Sequence, residues 1–472
     1  MDKTSNRLKL LVAIASFGRA NDSYLARLIA EYRSMSFDVD IAVFCNIEKH
    51  VGEGVELHVG LPDKDPRSLP FSHKQLFADR RNDYDLFLYS EDDTLVTEMN
   101  IRAFLRAKKE MHEREIPGFF RFEESSGIRN YAETHGSFHW DSTSVRRRGE
   151  YTIAFFTNEH AACYLLTSEQ LMRAIDSGGY LVKPHQGRYD LQCSAATDPY
   201  TQCGLQKVIA VSHIDEFLVN HLPNKYIGSK FGVQELEFRR QIAALSKIAS
   251  NGGGEAPLLP EKNGFARPKD YYELPDKEMM SLIPQNARTV LSIGCGWGAM
   301  EAKLAEEGFK VTAIPIDSVI PGCAAAAGVE LVCGDLGAVR KKLADRRFDC
   351  LLFSNILHLA EDPVALLASF KDQMSQGAVV VATCPNMARL RKIWTRAGRG
   401  QQFSEVDYQA SGFHFVSHKV LRNWCESAGL QVKQIVHLLP PSRRKLAGAV
   451  LGLADGLLSE ECLVVAEARG AK

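Results

Sequence analysis

The chain lacks charge of either sign in excess. Its 57 basic and 58 acidic residues leave a net charge of −1 over 472 residues, which excludes binding nucleic acid through an overall basic field. The short run Arg146–Arg148 reads as a solvated loop. No apolar run reaches the ~20 residues needed to cross a bilayer. The nearest approach, Leu446–Leu458, is short and is followed by Glu460 and Glu461. No transmembrane segment is therefore expected, and peripheral membrane contact is left open. The 11 cysteines are scattered singly, with no Cys-x-x-Cys pair and an odd total, which argues against a disulfide framework or a zinc site and for a reducing, cytoplasmic setting. There is no P-loop, no solenoid repeat and no low-complexity tract. The apolar stretch Leu8–Ala15 has no convincing cleavage site after it and reads as a first core strand.

With 45% hydrophobic residues, the composition is globular, and the length implies two or three domains. The seam is the stretch 246–268, which carries Gly252, Gly253, Gly254, Pro257 and Pro260. It divides residues 1–245 from residues 269–472. In the second part, apolar runs at 289–293, 310–314, 329–332, 350–353 and 378–383 alternate with helical spacing, and two runs, 431–438 and 461–466, close it. That order predicts an α/β domain with a mainly parallel sheet and an antiparallel edge. The first part is also α/β, with strands expected at 8–15, 39–44, 55–59 and 85–89 and a helix at 24–33. A lead-in helix is expected at 271–283.

The most specific stretch is Val290–Gly298, VLSIGCGWG. A β-branched run stops on glycines spaced two apart, and AMEAKLAEE follows with helix formers. Glycines at such a strand-to-helix turn let the main chain approach a bulky ligand, and the helix start presents free N–H groups. The spacing differs from the dinucleotide fingerprint. It resembles motif I of class I S-adenosylmethionine-dependent methyltransferases, and the resemblance extends over about Glu273 to Glu467. It implies a Rossmann-like fold and S-adenosylmethionine held by Gly294, Cys295, Gly296, Gly298, Asp317, Asp335 and Asn355. Ser292 stands where the family usually has Asp, and Pro315 stands where the ribose-binding acid is expected, with Asp317 two residues on. His358 and His414 are candidate general bases toward a hydroxyl acceptor; a structural histidine is the other reading of each.

In the first part an apolar strand runs into Glu91, Asp92 and Asp93. Helix capping explains one such acid; three together suit a hard cation such as Mg²⁺ or Mn²⁺. The pattern resembles the Asp-x-Asp motif of GT-A glycosyltransferases, with Pro117–Glu123 similar to the acceptor-side segment of exostosin-like members. The resemblance implies a GT-A-like nucleotide-sugar fold. It makes Asp92, Asp93 and His221 metal ligands, and places Arg80, Arg81 and Glu91 at the nucleotide sugar. Asp190 and Asp198 are candidates for the acceptor base or for stabilising the sugar cation.

The two resemblances together imply a bifunctional glycan-modifying enzyme. Its first domain would transfer a sugar from a nucleotide-sugar donor to a glycan or glycoconjugate acceptor, and its second would methylate a hydroxyl of that glycan or a related small molecule. The alternative is that only one domain is catalytic and the other binds or scaffolds.

Overall fold

A computed structural model describes residues 7–229, 231–261, 269–388, 408–437 and 459–469. The apolar stretch 446–458 and the linker residues 262–268 lie outside them. The chain divides into two compact units. Unit 1 is Met1–His135 with Ser144–Gly253, and unit 2 is Gly136–Thr143 with Gly254–Lys472. The expected linker from residue 246 begins inside a helix, Glu235–Ser250, because the 3.6-residue apolar spacing through Leu245, Ile248 and Ala249 continues into the stretch assigned to the seam. The early stretch Gly136–Thr143 precedes the seam in sequence, yet its contacts place it in the second unit.

Unit 1 is built on a five-stranded sheet. Its strands are β1 (Lys9–Ala15), β2 (Asp38–Cys45), β3 (Val55–Val59), β4 (Leu86–Glu91) and β5 (Cys163–Thr167), in the order β5-β4-β1-β2-β3. The first four run parallel, and β5 is antiparallel to β4. Leu10 to Ala15 are all buried, as expected of a parallel strand covered on both faces. Tyr151–Phe156 is a strand of its own, separated from β5 by residues 157–162. Because β1 has β2 on one side and β4 on the other, the chain reverses its winding between β1 and β4. A ligand crevice opens at such a point, beyond the carboxyl ends of the strands.

Unit 2 carries a seven-stranded sheet. Its strands are β6 (Thr289–Cys295), β7 (Lys310–Pro315), β8 (Glu330–Leu331), β9 (Phe348–Phe353), β10 (Met374–Pro385), β11 (Leu430–His437) and β12 (Glu461–Ala468), ordered β8-β7-β6-β9-β10-β12-β11. β6 to β10 are mutually parallel, and β12 joins antiparallel to both β10 and β11. This is the α/β, Rossmann-like layout with a closing antiparallel pair. The winding reverses between β6 and β9, beside the glycine turn. The lead-in segment expected as a helix over 271–283 is helical only at Lys277–Met280, capped by Asp276; Pro275 and Pro284 flank it and confine the helix.

Candidate functional site

In unit 2, the turn after β6 folds tightly because three glycines make room for the protein itself. Gly294 and Gly298 have φ of +88° and +86°, a region that penalises any side chain. A Cβ on Gly294 would stand 2.4 Å from Ile356, one on Gly298 would stand 2.4 Å from Ala324, and one on Gly296 would stand 2.3 Å from the Tyr271 carbonyl. That carbonyl accepts a 2.7 Å hydrogen bond from Trp297 N–H. The close approach expected of a ligand is therefore made at these three positions by neighbouring segments. Cys295 is buried, and burial drives its thiol pKa upward. The helix Ala299–Glu306 starts directly behind Gly298.

Asp317, just past β7, is buried, and its Oδ1 accepts from Val319 and Ile320 N–H at 2.8 and 3.0 Å. Asp335 is exposed and caps the helix Leu336–Lys342 by accepting from Ala338 N–H. Both carboxylates line one cavity of 590 Å³, of the size that takes a small-molecule cofactor. The residues fit an adenosyl ligand in this respect: two carboxylates able to accept from hydroxyls or an amine stand in one pocket beside apolar Ile316, Leu258 and Trp140.

Asn355, at the carboxyl end of β9, has φ of +47°, held there by Asn355 N–H donating to Thr383 Oγ1. Its Nδ2 donates to Glu273 Oε1 at 2.8 Å. Lys269 Nζ donates to the Ser354 carbonyl at 3.0 Å and lies 3.4 Å from Glu273 Oε2. Glu461, at the start of β12, completes the group. Burial pushes its pKa up to about 7, aided by the charges of Glu273 and Asp276, while Asn355 acts the other way. Sequence reasoning missed Lys269, Glu273 and Glu461. The first two lie beside a seam that reads as linker, and Glu461 follows residues far from any motif; no local signal marks them.

His358 is fully buried, with its carbonyl accepting from His414 N–H. His414 Nε2 lies 3.0 Å from the Ala360 carbonyl, to which its N–H donates, and its ring stacks on Tyr408 at 4.6 Å. Ser417 caps the helix His418–Ser427 that follows. These contacts tie the His414 ring to the local backbone.

In unit 1, the acids at the end of β4 point into different networks. Asp92 accepts from Ser16 Oγ and from Asn21 Nδ2, the latter at 2.7 Å. Lys49, buried, donates to Ser16 Oγ at 2.6 Å and to Asp22 at 2.9 Å. Burial pushes the Asp92 pKa up to about 6, against the bonds from Ser16 and Asn21 and with help from Asp93 and Glu91. Asp93 faces the other way, with Oδ2 3.5 Å from His221 Nε2 and 3.7 Å from Lys225 Nζ. Burial opposes ionisation of Asp93, but the His221 bond and these charges outweigh it and hold its pKa below the usual carboxylate value. His221 Nδ1 meets Glu123 Oε1 at 2.6 Å. This follows from register: Leu218–His221 pairs antiparallel with Thr94–Leu95 and parallel with Phe120–Ser125.

Among the described residues no group of three His, Cys, Asp or Glu side chains is placed to hold a metal ion. Asp93 and His221 meet, but Asp92 is turned to Ser16 and Asn21, so the expected Asp92–Asp93–His221 cage for Mn²⁺ or Mg²⁺ is not assembled. Arg80 pairs with Glu56 at 2.6 Å and Arg81 donates to the Ala78 carbonyl. Asp190 is an exposed helix cap for Leu191–Thr201, accepting from Cys193 N–H. Asp198 is fully buried, paired with buried Lys74 and 3.0 Å from His185 Nε2. Glu91 lies 3.9 Å from His160 Nε2, with both side chains largely covered.

No described helix is long and apolar enough to cross a membrane, and all 11 cysteines are free thiols. Residues 262–435 match the family model described as a methyltransferase domain, and this stretch lies in unit 2. Solved structures similar to the chain include an S-adenosylmethionine-dependent methyltransferase from Mesorhizobium loti, at 20% identity over 40% of this chain and 95% of that one, TM-score 0.29. Another from Archaeoglobus fulgidus has 18% identity over 40% and 90%, TM-score 0.32. The CcbJ methyltransferase from Streptomyces caelestis has 16% identity over 41% and 88%, TM-score 0.29. No curated protein matches the chain in sequence.

Proposed function

We propose that unit 2 transfers a methyl group from S-adenosylmethionine to a hydroxyl of a glycan or related small molecule. The observation that carries this reading is the glycine turn Gly294–Gly298 at the winding reversal of a parallel sheet, with Asp317 and Asp335 lining a cavity in the same unit. Gly294, Cys295, Gly296 and Gly298 supply the turn, and Asp317 and Asp335 accept hydrogen bonds from the nucleoside. Asn355, held by Glu273 and Thr383, borders the reacting end.

When bound, the cofactor supplies an electrophilic methyl carbon. The chain's own part is to orient the acceptor oxygen and take its proton as the new C–O bond forms and the S–C bond breaks. Glu461 suits that role better than His358 or His414. Its pKa of about 7 lets it hold or accept a proton near neutrality, and it stands with Glu273, Lys269 and Asn355 at the strand ends. The test is isothermal titration of the full chain with S-adenosylhomocysteine, followed by transfer of radiolabelled methyl to a panel of sugars. Binding and label in a hydroxyl-bearing product support the reading. Absence of binding sinks it. Glu461→Gln is expected to abolish the rise of kcat/KM through neutral pH while cofactor affinity is retained.

A second reading concerns unit 1: sugar transfer from a nucleotide donor. What supports it is the run Glu91, Asp92 and Asp93 ending a central strand next to the winding reversal between β1 and β4. A panel of nucleotide sugars in a thermal-shift assay, with and without Mn²⁺, decides it. Stabilisation lost in Asp93→Ala supports transfer, and no response to any donor leaves unit 1 a binding or scaffolding module.

A further inference from the structure

The cavity that holds Asp317 and Asp335 has a wall from an unexpected part of the chain. His139 and Trp140 line it, together with Leu258 and Tyr271. They belong to Gly136–Thr143, which enters unit 2 although the rest of that unit starts only at Gly254, after the whole of 144–253. Holding so remote a segment in place costs conformational entropy, so specific contacts must secure it.

Those contacts run along the segment. Tyr271 N–H donates to the Gly136 carbonyl at 2.9 Å. The His139 ring stacks on Tyr271 at 4.6 Å, with 18° between the planes, and its Nε2 lies 3.3 Å from Glu261. Ser142 exchanges two bonds with Glu255, accepting at its carbonyl from Glu255 N–H and donating from Oγ to the Glu255 carbonyl. Glu255 in turn accepts from Ser318 Oγ at 2.8 Å, and Leu258 N–H donates to the Ile316 carbonyl at 2.9 Å. The strap is thus sewn to the loop that carries Asp317. Tyr271 joins it to the glycine turn as well: the ring faces His139, while the carbonyl lies on Gly296 and accepts from Trp297.

We propose that the strap Gly136–Thr143 is a working wall of the cofactor site, closing the nucleoside end of S-adenosylmethionine against Asp317 and Asp335. Trp140 and Leu258 supply apolar surface for a flat base, and the two carboxylates accept from its amine and from ribose hydroxyls. His139 is a positioning residue that acts through Tyr271 on both the strap and the glycine turn. The inference rests on the reading of unit 2 as a site for S-adenosylmethionine.

Amide hydrogen exchange on the full chain, with and without S-adenosylhomocysteine, tests it, alongside titration of the wild type, His139→Ala and Trp140→Phe. Peptides covering 136–143 and 256–261 are expected to gain protection together with those covering 290–298. His139→Ala is expected to weaken binding by about tenfold, as loss of one buried ring contact would, and Trp140→Phe by less. Adenosine alone is expected to protect the strap. Protection at 290–298 without any at the strap overturns the inference while leaving the methyl-donor reading intact. Absence of both protection and binding heat overturns the two together. The wild-type exchange pattern decides the matter even if a variant folds poorly.

Discussion

Ser292 Oγ donates a 2.6 Å hydrogen bond to Glu301 Oε1, and both residues are buried. The carboxylate at the base of the glycine turn is therefore carried by the helix that follows it, while the strand position holds a hydroxyl. Burial raises the Glu301 pKa, and the Ser292 bond opposes that rise. Ser292→Ala removes the donor and is expected to cost ~1–3 kcal/mol, the usual penalty for stranding a buried acceptor. Urea denaturation at pH 7 measures it. Ser292→Asp is expected to be worse at pH 7 than at pH 4, because two carboxylates would then share one buried contact.

Gly296 has no room for a side chain. The added Cβ of Gly296→Ala would meet the Tyr271 backbone at 2.3 Å, so the backbone here must shift, and the carbonyl it displaces is the one that accepts from Trp297. Loss of tenfold or more in S-adenosylhomocysteine affinity is expected, read by titration with far-UV circular dichroism as the check that the fold persists. Gly308→Ala, with open space around its Cβ but φ of +92°, is the control: some stability is lost and affinity is kept.

Glu461 makes stability depend on pH in a direction that can be stated. Its pKa in the folded chain, about 7, is above the ordinary 4.5. Its contribution is therefore fully present below the lower value and is lost as pH rises through the higher one. Glu461→Gln is expected to flatten the fall in unfolding free energy between pH 5 and pH 8 by on the order of 3 kcal/mol, read from denaturation midpoints across that window.

Lys74 and Asp198 test whether Asp198 serves structure or catalysis. Both are buried, and Lys74 also lies over the Phe71 ring. Lys74→Met strands the Asp198 charge with His185 as its remaining neighbour and is expected to destabilise unit 1 by ~3–5 kcal/mol. The double change Lys74→Met with Asp198→Leu is expected to recover much of that loss. A thermal midpoint that does not move on Lys74→Met would remove the ion pair from the structural account.

The central strands of the two sheets are readable in the sequence as short apolar runs ended by a turn residue: Leu10–Ala15 before Ser16, and Val290–Ile293 before Gly294. The helix Glu98–Lys108 is equally legible, with Thr97 and Asn100 forming a reciprocal cap at its start. The sites are less so. Glu91, Asp92 and Asp93 are adjacent in sequence, but Asp92 and Asp93 occupy the turn between β4 and Thr94–Leu95, which directs Asp92 to Ser16 and Asp93 to His221, so adjacency in sequence does not bring them to one set of partners. Glu273 and Glu461, nearly two hundred positions apart, come together only because β12 inserts antiparallel beside β10.

By itself, the sequence determined two α/β units, the glycine turn and the class of the second unit. Apolar periodicity and a requirement for positive φ are local properties of the chain, written over a few residues each. Tertiary structure alone decided that Gly136–Thr143 belongs with unit 2, that Glu301 bonds Ser292, and that the acids of β4 divide between two networks. Each of these depends on which distant backbone segments pack together, and long-range packing leaves no periodic mark on the residues that meet.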